Sequence, residues 1–120
     1  MKIFVTGGTG FIGSHFINQA HAAGNEIVAL RRSTSSKPRV TLEREPSWIE
    51  GPIGFRGKSQ WEGCDVLVHL AASGITPQPA TWEDCYKINV LNTLAMVKSA
   101  VKAGVGKVIV TGTYAEYGKA

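Results

Sequence analysis

The 120-residue chain has no apolar run long enough to cross a bilayer. Glycines cut the apolar start Met1-Lys2-Ile3-Phe4-Val5 too short for a signal peptide. It has only two cysteines, Cys64 and Cys85, too few for a disulfide framework, so free thiols in a reducing cytoplasm are expected. Its three histidines form no metal-ligand spacing with the cysteines and acidic residues, and no metal site is expected. The formal net charge of +4 is modest, and its basic residues are not massed as a nucleic-acid patch requires; an anionic small ligand accounts for the charge as well. Neither nucleic acid nor membrane is therefore an expected partner. The length suits one small domain, and 43% hydrophobic residues suffice for a packed core.

Glycine, by contrast, is concentrated where it has a physical use. Val5-Thr6-Gly7-Gly8-Thr9-Gly10-Phe11-Ile12-Gly13 follows an apolar strand-like run and precedes apolar residues at helical spacing, Ile12, Phe16, Ala20 and Ala23. A helix N-terminus has unpaired N–H groups and a partial positive charge, which attract phosphate. Gly7 can take the positive φ of a tight turn, Gly10 keeps a side chain away from a pyrophosphate, and Gly13 permits close helix–strand packing. The helix over about 11–23 stops at Gly24-Asn25, and Glu26-Ile27-Val28-Ala29-Leu30 is a second strand. This strand–helix–strand unit is the context that makes the glycine loop a dinucleotide site.

An acidic residue is missing where one is expected. In an NAD site, an Asp or Glu about 20 residues past the glycines binds the ribose 2′-hydroxyl. Arg31 and Arg32 stand there instead, with Ser33 alongside. Guanidinium forks suit the 2′-phosphate of NADP, which makes NADP the expected cofactor and NAD its alternative. The other reading is two solvated arginines opening a surface loop.

Residues 33–45 read as a polar loop, and Trp48 to Ile53 as a short third strand limited by Pro52. Asp65 to Ala72 is a fourth strand ending in small residues, where a ligand can approach. His69 lies within it among apolar neighbours, which favours a hydrogen-bonded core histidine over a catalytic one. Thr81-Trp82-Glu83-Asp84 resembles a helix start, and Tyr86, Val90, Leu94, Val97 and Val101 continue at helical spacing to Gly104. On that helix Asn89 and Asn92 are either partners of backbone or water beside the site, or solvated surface positions. Lys107 to Gly112 is a fifth strand. The expected fold is an α/β, Rossmann-type doubly wound parallel sheet of about five strands in the order 3-2-1-4-5.

Four segments together resemble the N-terminal part of the extended short-chain dehydrogenase/reductases, the NAD-dependent epimerase/dehydratase family acting on nucleotide sugars. They are Thr6 to His15, Asp65 to Ala72, Asn89-Val90-Leu91-Asn92-Thr93, and Val110 to Gly118. The resemblance implies that Gly7, Gly10, Phe11 and Ile12 meet the pyrophosphate, and that Leu70, Ala71 and Ala72 line the cofactor. Thr113 matches the catalytic Ser/Thr that hydrogen-bonds the substrate hydroxyl or carbonyl. Ser73 and Glu116 are the implied substrate neighbours. Pro52 stands where the family usually has an adenine-binding Asp, ahead of Ile53, which leaves adenine to backbone and apolar contacts.

A further expected feature is absent: the family's Tyr-x-x-x-Lys pair, its general acid/base and ribose clamp. Tyr114 is followed four residues later by glycine, and Tyr117 by no residue at all. Two readings follow. The chain resembles a truncated epimerase, dehydratase or reductase working by hydride transfer, with an incomplete Rossmann domain and no substrate domain, inactive alone. Otherwise it is a stand-alone dinucleotide-binding or sensing module. Surfaces left uncovered would make it a homo-oligomer.

Overall fold

The computed structural model describes residues 1–51, 58–71 and 81–111, with backbone alone for 58, 59, 84, 85, 88 and 89. Its first strand, β1 (Lys2–Thr6), leads through the glycine loop into α1 (Phe11–Ala22) and then β2 (Glu26–Arg31). A third strand, β3 (Ser47–Glu50), is followed by a 3-10 turn at Lys58–Trp61 and by β4 (Val66–His69). Helix α2 (Trp82–Tyr86) widens into a π-helical segment (Lys87–Asn92), continues as α3 (Thr93–Lys102), and precedes β5 (Lys107–Val110).

All four strand pairings are parallel, and the order is β3-β2-β1-β4-β5, as the sequence predicts. The central strands β1, β2 and β4 read as continuous apolar runs because both faces of the sheet are covered there. Successive side chains alternate between those faces. Ile3, Val5, Ile27, Ala29, Val66 and Val68 pack with Ile17 and Ala20 of α1. Phe4, Val28, Leu30 and Leu67 pack on the other side with Trp61, Met96, Ala100 and Val105. Full burial of a residue such as Phe4 or Leu67 is worth about 2 kcal/mol. The helices thus clamp the sheet from both sides, and the parallel ladder sets carboxyl ends in register: Thr6 of β1 pairs with His69 of β4, and Arg31 of β2 with Glu50 of β3.

The helix expected from Thr81 onward is present, but the π-helical widening at Lys87–Asn92 had no sequence signature. Periodicity reports only the average face of a helix. β4 ends at His69, earlier than the apolar run suggested, so Leu70 and Ala71 lie just beyond the strand. Among the described residues no helix is long and apolar enough to cross a membrane.

Candidate functional site

The glycine loop is built by backbone proximity. Gly7 has φ +73°, and a Cβ there would sit 2.7 Å from Ala71 N and from the Leu70 carbonyl carbon. Gly10 N–H donates to Gly7 O at 3.1 Å, closing the turn, and Gly10 is the extended residue that opens α1. A Cβ on Gly13 would lie 2.0 Å from Gly7 O. The first intrahelical bond runs from Ser14 N to Gly10 O, so the amides of Phe11, Ile12 and Gly13 precede the bonded ladder. The side chains of Phe11 and Ile12 are exposed. No acidic residue occupies this first turn. The N-terminus of α1 is therefore set up for an anion.

Behind the loop lies a buried polar junction. Thr6 Oγ1 accepts hydrogen bonds from Leu70 N (3.1 Å) and Ala71 N (3.2 Å). Both hydroxyl lone pairs are thereby used, so the Thr6 proton is donated to His69 Nδ1 at 2.7 Å. His69 then carries its proton on Nε2, which donates to Thr93 Oγ1 at 2.9 Å. Three elements meet here: the end of β1, the end of β4, and the helix residue directly after the π-helical segment. His69 is 3% exposed, and burial pushes its pKa below the ordinary 6.5. It is the hydrogen-bonded core histidine the strand pattern favoured.

At the end of β2, Arg31 and Arg32 separate in role. Arg31 is half-buried, its guanidinium 4.7 Å from the Trp48 ring centroid and its Nη2 3.4 Å from Glu50 Oε1. Arg32 is exposed. Trp48 reaches the loop: one ring carbon lies 3.7 Å from where a Gly8 Cβ would be. The polar stretch after β2 folds back, with Arg39 N–H donating to Thr9 O at 3.0 Å and Asn18 bonding the backbone of Thr41 and Glu43.

The structure thus brings Gly7, Gly10, Phe11 and Ile12 together with Leu70 and Ala71, and places Arg31 beside them through Trp48. Ala72, Ser73, Ile53, Thr113 and Glu116 lie outside the described residues, as does Pro52. Asn92 is half-buried in the π-helical segment. Of the cysteines, Cys64 is a buried free thiol whose pKa burial pushes up. Sequence reasoning missed Thr6, Trp48, Glu50, Thr93 and Arg39. Thr6 carried a signal, being a lone polar residue ending an apolar strand. Arg39 carried none, since its contact depends on how the loop folds.

Sheet order, crossovers and glycine loop define a Rossmann-type α/β domain. The chain matches the NAD dependent epimerase/dehydratase family over residues 3–120 and belongs to that family. It is 34% identical over 96% of its length to a putative dihydroflavonol 4-reductase of Synechocystis sp.. It is 32% identical over 98% of its length to a UDP-glucose 4-epimerase of Klebsiella pneumoniae, of which it covers 93%. Its fold superposes on the structure of MoeE5 in complex with UDP-glucose and NAD with a TM-score of 0.82 at 30% identity, covering all of this chain and 39% of that one. The chain spans about a third of the length of the Synechocystis relative and of a UDP-glucose 4-epimerase of Azospirillum brasilense, at 33% and 35%.

Proposed function

We propose that the chain is the dinucleotide-binding portion of an NADP-preferring enzyme that acts on a nucleotide sugar. The observation that carries this reading is the glycine cradle. Gly7 and Gly13 leave no room for a Cβ against neighbouring backbone, so the loop lies tight on the sheet while the first amides of α1 remain ahead of the bonded ladder. The relatives supply the class: MoeE5 is seen with NAD and UDP-glucose, and the Klebsiella relative is a UDP-glucose 4-epimerase.

In this reading Gly7, Gly10, Phe11 and Ile12 receive the pyrophosphate. Arg32, with Arg31 and the basic stretch through Lys37 and Arg39, receives the 2′-phosphate. Leu70, Ala71 and Ala72 line the nicotinamide side, and Ile53 the adenine. When bound, the nicotinamide supplies the hydride acceptor or donor. Thr113 hydrogen-bonds the reacting hydroxyl or carbonyl, and Ser73 and Glu116 face substrate. The protein's contribution is orientation: the Thr6–His69–Thr93 junction fixes the end of β4 against the loop.

Titration of the chain with NADPH and NADH tests the cofactor. NADPH binds about fivefold tighter, and Arg32→Asp removes or inverts the preference. Equal affinities that Arg32→Asp leaves unchanged would remove the 2′-phosphate from the reading.

The partner reading is a homo-oligomer. Trp82 is 86% exposed, and Tyr86, Val90, Leu91, Leu94 and Val101 are also exposed along the helix, as are Ile109 and Val110 on edge strand β5. Apolar rows and open edges of this kind associate. Sedimentation velocity shows concentration-dependent association; a monomer unchanged across a hundredfold concentration range, on the order of micromolar and above, would overturn it.

A further inference from the structure

Glu50 and Arg31 are Cα partners in the parallel register of β3 and β2, at the carboxyl edge where the cofactor's adenosine end is placed above. Their side chains meet with Arg31 Nη2 3.4 Å from Glu50 Oε1, longer than a strong charge-assisted hydrogen bond. The carboxylate side chain is 40% exposed and the guanidinium 17%. A pair of that length and exposure contributes little to folding, so stability does not explain it.

Its effect on charge is larger. Arg31 is held on several sides: Trp48 covers one face, and Trp48 is itself fixed by a 2.6 Å hydrogen bond from Nε1 to Glu45 Oε2. Glu50 takes one guanidinium nitrogen, while Arg31 Nε is buried with no partner among the described residues. The first of the two arginines is thus charge-paired by the adjacent strand. Among the described residues Arg32 has no ion-pair partner within 4.0 Å. A 2′-phosphate arriving here meets one uncompensated guanidinium, one compensated one, and a carboxylate.

We propose that Glu50 is a specificity-determining residue for the cofactor, acting through Arg31. Its carboxylate holds Arg31 in an internal ion pair and so limits the preference for a 2′-phosphate over a 2′-hydroxyl. The proposal rests on the dinucleotide reading above and deepens it: the chain is tuned to accept both cofactors rather than to exclude NAD.

The test is calorimetric titration of the chain with NADPH and NADH, for the wild type, Glu50→Gln, Arg31→Gln and the double variant. In Glu50→Gln the ratio of NADPH to NADH affinity rises about tenfold, and NADPH binding becomes more salt-sensitive, because one unit of negative charge has left the site. Glu50→Ala gives the same rise, while Glu50→Asp, which keeps the charge, stays near wild type. In the Arg31→Gln background, Glu50→Gln changes the ratio by less than about threefold, since the residue it acts through is gone. An unchanged or lower ratio in both Glu50→Gln and Glu50→Ala, with wild-type binding intact, overturns this inference alone. Binding of neither nucleotide by the wild type overturns the dinucleotide reading and this inference with it. A full tenfold rise persisting without Arg31 would show direct repulsion and overturn the route through Arg31.

Discussion

Gly13→Ala destabilises the chain by about 3 kcal/mol and abolishes measurable dinucleotide binding. Alanine is ordinarily the better helix residue, by about 1 kcal/mol over glycine, so intrinsic preference works in favour of this substitution. Packing opposes it. The new methyl would lie 2.0 Å from Gly7 O, 2.7 Å from Gly7 C and 2.9 Å from Gly8 Cα, all backbone atoms. Backbone cannot swing aside as a side chain can, so either α1 lifts from the sheet or the loop opens. Both outcomes move the first-turn amides away from the Gly7 turn. Gly10→Ala is milder, because its methyl would sit 3.3 Å from Gly7 O. Urea melts and NADPH titrations of the two variants test this order. A Gly13→Ala chain as stable as wild type and binding as well would show that the loop has slack the structure does not contain.

The second large effect is expected at the polar junction. Thr6→Val preserves shape but removes the oxygen that Ala71 N and Leu70 N share and the proton that His69 Nδ1 accepts. Leu70 N keeps its bond to Thr6 O at 3.2 Å, so Ala71 N and His69 Nδ1 are the groups left wanting. Two such groups cost about 2–4 kcal/mol, whereas Thr6→Ser keeps the hydroxyl and most of the stability. A Thr6→Val chain within about 0.5 kcal/mol of wild type would mean the junction carries no energy.

The same junction makes stability fall in acid. Burial lowers the His69 pKa below 6.5, so the folded state resists a proton that the unfolded chain accepts. Its contribution is complete above pH 6.5 and is lost as pH falls from there toward the lowered folded value. His69→Gln removes that part of the slope. His21, also lowered by burial and by Arg44, leaves a remainder. Urea midpoints at about pH 7.5 and pH 5 measure it; identical slopes in wild type and His69→Gln would rule His69 out as the source.

Much of the fold was legible because parallel strands covered on both faces must be apolar throughout, and Ile3 to Val5, Ile27 to Leu30 and Val66 to Val68 are. The glycines of the loop were legible because their role is local: a turn, a close approach, a helix start. Gly7, Gly10 and Gly13 could be assigned those tasks from spacing alone, and the structure places Gly7 at positive φ and Gly13 against the Gly7 carbonyl.

What the sequence by itself determined is therefore the strands, the helices and the position of the cradle, consequences of short-range periodicity and turn chemistry; the expected sheet order came with the Rossmann class that those elements define. What only the tertiary structure decided is which polar residues meet. Thr6 and His69 are 63 residues apart, His69 and Thr93 24, and Arg31 and Glu50 19. No periodicity encodes those distances; strand register sets the first and the last, and the packing of α3 against β4 sets the second. Two arginines that looked equivalent were thus divided, Arg31 into an ion pair on the neighbouring strand and Arg32 to the surface, because register sets Glu50 opposite only the first.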